Sequence, residues 1–219
     1  ATVVAEAGAD LANLDTFIHG TTLATNALIE RTGARTALVT TAGFRDTIEM
    51  RTESRFEQYD LNLVLPAALI ERKDRHVLAE RIGVDGRVLR PFDEAEARAL
   101  VDHLADRPED EAYEAVAIGF IHAYVDGAHE RRFRDLLLER LPDVAVSISS
   151  EVSPQMREFE RFNTVCANAY VQPLMASYLN ELDRQLQAEG ARCPVYLIHS
   201  GGGLMSVDSA VRFPVRLVE

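Results

Sequence analysis

Three uninterrupted apolar runs constrain this chain more than any other feature of its sequence. They lie at residues 35–41, 115–122 and 144–149, and they are rich in small and β-branched residues. Runs without polar alternation are typical of strands that are covered on both faces, as in a parallel sheet. A helical pattern follows each run further along the chain. The sequence therefore predicts an α/β fold.

The remaining pattern fills in the elements around these strands. A short strand at residues 15–19 precedes a helix with Leu23, Ala27 and Leu28 on one face. Asp93 and Glu96 have the spacing of a capping box, which predicts a helix at residues 94–106. Further predicted elements are a short helix from residue 47, helices at residues 128–141 and 161–189, a strand at residues 195–199, a helix near residues 207–211 and a β-like tail at residues 214–219.

The segment at residues 51–90 interrupts this α/β rhythm. Asp85 and Gly86 stand between two strand-like runs, and Asp-Gly supplies the positive φ angles of a type I′ hairpin turn. We interpret the segment as an inserted or peripheral β-containing module. Pro173, within the long helical pattern, predicts a kink because proline lacks the N–H that bonds the preceding turn.

Net charge limits the classes of partner. The chain has 23 basic against 35 acidic residues, a net charge of −12, which is the wrong sign for wrapping nucleic acid or docking on anionic lipid. Cys166 and Cys193 show no metal-binding or disulfide spacing, and no segment reads as a signal peptide or membrane span. We expect a cytoplasmic protein. The missing initiator Met and the apolar run before Glu219 lead us to expect a segment of a longer chain.

Three predicted strands end in histidine, at His19, His122 and His199. Parallel strands would bring these ends to one edge, and open α/β sheets bind ligands beyond the carboxyl ends of their strands. Each histidine is either a polar strand terminus bonded to nearby backbone or part of a metal or proton-transfer site. His122, Asp126 and His129 form a candidate metal site, although their spacing is not diagnostic.

Two glycine-containing loops are candidate phosphate sites. Gly20, Thr21 and Thr22 occupy a strand-to-helix junction, where free N–H groups and hydroxyls can hold phosphate, or where a threonine simply caps the helix. The loop of Ser200, Gly201, Gly202 and Gly203 also has two interpretations, a tight turn or a close approach to a ligand. Neither loop matches the two best-known nucleotide-binding signatures.

Several segments together resemble the hydantoinase A/5-oxoprolinase family, in the family's order and over almost the whole chain. They are HGTTLATNALIER (residues 19–31), TTAGFRD (40–46), VDG (84–86), SSEVSPQMREFER (149–161), NAYVQP (168–173) and SGGGLMS (200–206).

The resemblance implies an incomplete actin/hexokinase-like (ribonuclease H-like) ATPase segment, from an enzyme that uses ATP and Mg²⁺ to open cyclic amides or, in related carboxylase subunits, to activate ketones. Phosphorylating the carbonyl oxygen of a ring amide makes its carbon an electrophile and its oxygen part of a good leaving group. The protein then mainly positions phosphates, metal and substrate.

The resemblance also implies an organisation and a set of sites. Residues 1–190 would be the N-terminal lobe, with residues 51–92 as its β-containing insertion, and residues 191–219 would begin a second lobe. Gly20, Thr21 and Thr22 would lie near the nucleotide, with Ser200, Gly201, Gly202 and Gly203 bordering it from the second lobe.

The family's two main phosphate loops have no counterpart in these 219 residues, so we expect the chain alone to be inactive. The implied partners are a small cyclic amide, a hydantoinase B-type subunit or domain, and further copies in a homo- or hetero-oligomer. The rival interpretation is a non-catalytic scaffold or assembly subunit.

Overall fold

The computed structural model describes residues 11–52 and 59–218 of the chain. These residues group into two compact units. One is Ala34–Tyr170, and the other combines the described residues up to Gly33 with those from Val171 onward. The boundary at residue 190 between two lobes stays a prediction.

Strands and helices alternate along most of the described chain. The strands are β1 (Phe17–His19), β2 (Thr36–Thr41), β3 (Arg75–Leu78), β4 (Arg81–Ile82), β5 (Val88–Arg90), β6 (Ala115–Gly119), β7 (Ala145–Ile148), β8 (Val195–Ile198) and β9 (Leu204–Ser206). The α-helices are α1 (Leu23–Glu30), α2 (Thr47–Met50), α3 (Glu94–Ala105), α4 (Ala128–Arg140), α5 (Ser149–Val152), α6 (Glu158–Ala188) and α7 (Val207–Arg212).

A four-stranded parallel sheet in the order β3-β2-β6-β7 forms the centre of the unit Ala34–Tyr170. All six residues of β2 and all five of β6 are buried, as their uninterrupted apolar pattern predicts. Helices α3 and α4 pack together, and their apolar residues, including Val101, Phe133 and Leu137, belong to the core formed with this sheet. The mixed α/β fold with a parallel sheet is thus confirmed.

The predicted β-hairpin is present, but it involves only part of the segment expected to be separate. Strands β4 and β5 pair antiparallel, and Gly86 has a φ of 80° in the turn between them. The neighbouring β3 instead pairs in parallel with β2 at the edge of the central sheet. Residues 53–58 of this segment lie outside the described residues.

The other unit contains a small sheet in the order β1-β8-β9. β1 and β8 are parallel, with His19 opposite Leu197, and β9 returns antiparallel to β8. The predicted strand-like tail is wrong, because Pro214–Leu217 forms a 3₁₀ helix with Pro214 and Leu217 buried. Among the described residues, no helix is long and apolar enough to cross a membrane.

The N-cap of α3 follows its local sequence. The carboxylate of Asp93 accepts the N–H groups of Ala95 and Glu96, as expected for the N-cap of α3. The carboxylate of Glu96 accepts the N–H of Ala79, so it ties the helix to the end of β3. Pro173 lies inside α6, and Gly190, just past its end, has a φ of 94°.

Candidate functional site

Both predicted phosphate loops leave the same edge of the small sheet. Because β1 and β8 are parallel neighbours, Gly20 and Ser200 both follow carboxyl ends of adjacent strands. A Cβ atom at Gly20 would lie 3.5 Å from Cδ1 of Ile198, which shows how closely the two segments approach. The structure therefore places both loops in one compact unit, whereas the resemblance implies two different lobes.

The two threonines at the start of α1 have different roles. The hydroxyl oxygen of Thr21 accepts the N–H of Leu23 at 3.2 Å. Thr22 holds the N-cap position of α1, yet its side chain makes no capping hydrogen bond, and it is exposed. The expected threonine N-cap is therefore not formed, although Thr21 holds the first N–H of α1, and the hydroxyl of Thr22 is not committed to capping the helix.

The glycine-rich loop is a tight turn between β8 and β9. Gly202 and Gly203 adopt φ angles of 82° and 114°, a region that favours glycine. The N–H and the hydroxyl of Ser200 both donate to the carbonyl of Arg216, at 3.0 and 2.9 Å. The N–H of Gly201 donates to His199 Nδ1, and the N–H of Gly202 donates to the carbonyl of His199. Three of the loop's N–H groups are thus already used internally.

The three histidines do not meet at one edge, and that expectation is wrong. His19 and His199 lie at ends of the small sheet, whereas His122 follows β6 of the larger sheet. The imidazole of His19 bonds the hydroxyl of Tyr178 at 2.6 Å, and burial lowers the pKa of His19. His122 has a φ of 57°, and its Nδ1 lies 2.9 Å from the carbonyl of Ile82.

The candidate metal site at His122, Asp126 and His129 is not brought together. Each side chain has another partner: His129 Nδ1 lies 2.7 Å from Oε2 of Glu80, and Asp126 accepts the N–H of Ala128. Over residues 11–52 and 59–218, no group of three or more His, Cys, Asp or Glu side chains could hold a metal ion. The metal site stays a prediction without support from this geometry.

The carboxyl edge of the larger sheet carries a buried polar cluster that was not predicted from the sequence. The carboxylate of Glu130 accepts the N–H of Phe120 at 2.9 Å, the hydroxyl of Ser149 at 2.6 Å and the N–H of Ser150 at 2.8 Å. The guanidinium of Arg161 donates to the carbonyl of Phe120 at 3.1 Å and to Ser149 Oγ at 3.2 Å. Both charged side chains are fully buried.

Burial and hydrogen bonding act in opposite directions on this cluster. Burial raises the pKa of Glu130, and the hydrogen bonds from Ser149, Phe120 and Ser150 oppose that rise by favouring the carboxylate. Burial also lowers the pKa of Arg161, and the negative charges of Glu158 and Glu130 oppose that fall. The cluster fixes the backbone that follows β6.

A second part of this edge joins β2 to β3. Glu80 follows β3 and is buried, and its carboxylate accepts the hydroxyl of Thr41, the last residue of β2. The oxygen of that hydroxyl accepts the N–H of Ile121 at 2.9 Å. The other carboxylate oxygen of Glu80 is the one that bonds His129.

This edge is also where strand order reverses. From β2 the chain continues to β3 on one side, and it later returns to β6 on the other side of β2. In open α/β sheets, ligands bind outside the carboxyl ends of strands at such a point. Thr41 and Ile121 lie there.

A weak signal for part of this cluster is present in the sequence. Glu130 precedes Phe133 and Leu137 by three and seven residues, so a charged residue stands on the apolar face of α4. Arg161 likewise precedes the buried Val165 by four residues in α6. No periodic pattern marks Glu80, because it follows the end of a strand.

Comparison with known proteins decides the family. The hydantoinase/oxoprolinase N-terminal region matches residues 1–141, and a second region, described as hydantoinase/oxoprolinase, matches residues 161–219. The chain belongs to the hydantoinase/oxoprolinase family. The resemblance seen in the sequence segments is thereby confirmed.

Three relatives illustrate the range of this family. Caprolactamase subunit alpha from Pseudomonas jessenii is 36% identical over 89% of the chain, which covers 28% of that protein. 5-oxoprolinase 1 from Arabidopsis thaliana is 33% identical over 84% of the chain, covering 16% of that protein. The acetophenone carboxylase gamma subunit from Aromatoleum aromaticum is 30% identical over 88% of the chain, covering 28% of that protein. The family member described here thus spans less than a third of each.

A solved structure shares the fold. The crystal structure of ATP-dependent caprolactamase from Pseudomonas jessenii superposes with a TM-score of 0.84 at 31% identity, over 98% of the chain and 32% of that structure. The family member therefore shares the mixed α/β fold of that part of the caprolactamase structure.

Proposed function

We propose that this chain forms part of an ATP-dependent enzyme that opens cyclic amides by hydrolysing a C–N bond. The observation that supports this most directly is the fold shared with ATP-dependent caprolactamase over 98% of the chain. Caprolactamase and 5-oxoprolinase are named for cyclic amides, and the chain is similar to both over most of its length.

Within that proposal, the edge formed by β1 and β8 lies near the phosphates of ATP, in an actin/hexokinase-like arrangement. The exposed hydroxyl of Thr22 and the small Gly20 fit a phosphate, since one offers a donor and the other permits close approach. The loop at Ser200 borders the phosphates but offers them few hydrogen-bond donors, because three of its N–H groups already have partners within the protein.

The described part of the chain contains no group of three or more His, Cys, Asp or Glu side chains that could hold a metal ion. Mg²⁺ in nucleotide sites is usually held by one or two carboxylates together with phosphate and water oxygens. We therefore assign no residue here to a metal and derive no step through one.

The reaction class can be tested on the complete gene product that contains this chain, combined with its hydantoinase B-type partner. We expect ADP release that depends on a cyclic amide, measured with caprolactam, 5-oxoproline and hydantoin as separate substrates. ADP release that is equally fast without any of these amides would contradict the proposal.

The similarity to the acetophenone carboxylase gamma subunit supports a second candidate function, the ATP-dependent carboxylation of a ketone. The same assay with acetophenone or acetone plus bicarbonate distinguishes the two. Incorporation of labelled bicarbonate into an acid-stable product would favour the carboxylase, and absence of ATP turnover with every substrate would favour the scaffold.

A further inference from the structure

The backbone of Arg216 lies beside the edge formed by β1 and β8. The N–H and the hydroxyl of Ser200, just past the end of β8, both donate to the carbonyl of Arg216, at 3.0 and 2.9 Å. The 3₁₀ helix Pro214–Leu217, which contains Arg216, also contacts α1, the helix that follows Thr22. All of these segments belong to one compact unit. Both loops proposed to border the phosphates are therefore linked to the segment that carries Arg216.

The 3₁₀ helix holds its backbone in place while it exposes the arginine. Pro214 and Leu217 are buried, and Arg216 between them is exposed. Proline also fixes φ at the start of the helix, which reduces the freedom of the segment. The guanidinium of Arg216 is therefore accessible to a ligand, although its backbone is fixed at the edge of the small sheet.

The guanidinium of Arg216 keeps its hydrogen-bond donors unused. Its carbon Cζ lies 4.8 Å from the centroid of the Phe213 ring, and within the described residues it makes no ion pair and no side-chain hydrogen bond. Arginine can contact a ring with its flat face and still donate from the N–H groups at its edge. Those N–H groups form a fork that matches two oxygens of one phosphate.

The charge around this edge also suits an anion. The chain has 35 acidic residues, yet residues 16–29 and 190–207, which contain β1, β8, β9 and both loops, include no Asp or Glu. Of the acidic residues close to Arg216 in sequence, Asp208 forms no ion pair with it, and Glu219 lies outside the described residues. A phosphate at this edge would therefore meet a positive charge and no carboxylate from the strands or loops that form it.

We propose that Arg216 binds a phosphate group of ATP at this edge by donating two hydrogen bonds from its guanidinium, and that Ser200 and Phe213 are its positioning residues. This inference rests on the nucleotide-binding part of the proposed function. It supplies donors that the loop at Ser200 lacks, because three N–H groups of that loop are already bonded within the protein. Arg216 makes and breaks no covalent bond in this role.

The decisive variant is Arg216→Gln in the complete gene product with its partner. We measure the affinity for the non-hydrolysable ATP analogue adenylyl imidodiphosphate by titration calorimetry. Loss of a charged, two-bond contact should weaken binding about 10-fold or more. Because Arg216 is exposed and pairs with no carboxylate, the melting temperature without nucleotide should stay close to that of the wild type. Affinity equal to that of the wild type would overturn the assignment.

Arg212→Gln is the matched control. Arg212 also lies over the Phe213 ring, at 5.1 Å, so the variant removes the same charge beside the same ring. Its carbonyl does not hold Ser200, and we expect its affinity for the analogue to stay within about twofold of the wild type, as for an exposed charge outside the contact. Equal losses in the two variants would show a general effect of net charge and would overturn the role given to Arg216.

Two further measurements separate a phosphate contact from a structural role. Arg216→Lys keeps the charge but loses the fork, so its affinity should fall between those of the wild type and Arg216→Gln. Added salt should weaken binding more steeply in the wild type than in Arg216→Gln, because the variant lacks the charge that salt screens. Identical salt dependence in both proteins would contradict the inference.

The wild-type protein separates this inference from the proposed reaction. If it binds the analogue but shows no ATP turnover that depends on a cyclic amide, the reaction is wrong, and the affinities of the variants still test Arg216. If it turns over cyclic amides and Arg216→Gln binds the analogue normally, only this inference fails. A wild type that binds no nucleotide overturns both.

Discussion

Phe120 is held through both of its backbone polar groups by buried charged side chains. Its N–H donates to Glu130, and its carbonyl accepts from Arg161. In an exposed turn, water satisfies the backbone N–H and carbonyl groups. The backbone that follows β6 is buried, so these groups need partners within the protein. Two residues later His122 adopts a left-handed φ, a strained conformation that persists only where the surrounding structure holds it in place.

Replacing Glu130 should therefore be severe. Glu130→Ala leaves the N–H groups of Phe120 and Ser150 unpaired and removes a counter-charge to Arg161, so we expect a loss of about 3–5 kcal/mol in the free energy of unfolding. Urea denaturation measures this. Glu139→Ala is the matched control, because its ion pair with Arg98 is exposed and should contribute about 1 kcal/mol or less. Similar losses in both variants would contradict the inference that the buried hydrogen bonds of Glu130 stabilise the fold.

The two threonines at the start of α1 should separate stability from turnover. Thr21→Ala removes a hydrogen bond to the helix and should cost about 1 kcal/mol of stability. Thr22→Ala removes no capping bond, so it should leave stability nearly unchanged while lowering ATP-dependent turnover of the complete enzyme. Thermal melting and steady-state ADP release measure the two effects. Unchanged turnover in Thr22→Ala would remove that hydroxyl from the proposed phosphate site.

His76 should make stability depend on pH. Burial, aided by the positive charges of His103 and Arg107, lowers its pKa to about 4 from the ordinary histidine value of 6.5. Between those values the unfolded chain binds more protons than the folded one, so stability falls as pH drops from 6.5 to 4. After allowance for the partial exposure of the ring, we expect His76 to contribute about 2–3 kcal/mol to the pH dependence of the free energy of unfolding.

His76→Gln is the comparison for that titration. It removes the ionisable group, so its stability should fall less than that of the wild type over the same interval, as measured by urea denaturation at a series of pH values. Parallel curves for the two proteins would show that His76 is not protonated preferentially in the unfolded chain.

At the scale of elements, α3 offers the clearest test of a local signal. Asp93→Ala removes the acceptor of two N–H groups at its first turn and should lower stability by about 1 kcal/mol. Asp93→Asn keeps a side-chain oxygen in place and should cost only a few tenths of that, because asparagine caps almost as well. Chemical denaturation of both variants checks the ranking, and equal losses would mean that the carboxylate charge is what matters.

Elements with a strong local pattern are predictable from the sequence, and elements defined by pairing are not. β2 and β6 follow from their uninterrupted apolar runs, and α3 follows from its cap. Residues 214–217 alternate like a strand, yet Pro214 starts a 3₁₀ helix there. β9 is too short to show a period, and β3 is assigned to a separate module because nothing local states that its partner is β2.

The candidate functional residues also include some that the sequence predicts and some that it does not. Small and hydroxyl residues at a strand-to-helix junction mark Gly20, Thr21 and Thr22 in the sequence itself. The pair of Glu80 and His129 joins residues 49 apart in the chain, and it exists only because β3 lies beside β2. Such a pair follows from topology, which a single sequence does not state.

For the whole molecule, charge governs behaviour in solution. With a net charge of −12 at pH 7 and an isoelectric point near 5.0, the protein should be least soluble near pH 5 and should not bind heparin or DNA at physiological salt. Turbidity against pH and a heparin column test both statements. Retention on heparin at 150 mM salt, roughly the physiological ionic strength, would reveal a basic surface that net charge conceals.

The pairing of β2 with β6 also has a consequence for biosynthesis. Thr36 lies opposite Ala115, so a ribosome must add roughly 80 residues after β2 begins before its central neighbour is made. At about 5–20 residues per second, this takes on the order of 4–16 s. Throughout that interval the hydrogen-bonding edge of β2 that later pairs with β6 has no partner strand in the nascent chain. Slow codons between these two strands, or a shortage of chaperones, would therefore lower the yield of folded protein without changing the folded structure itself.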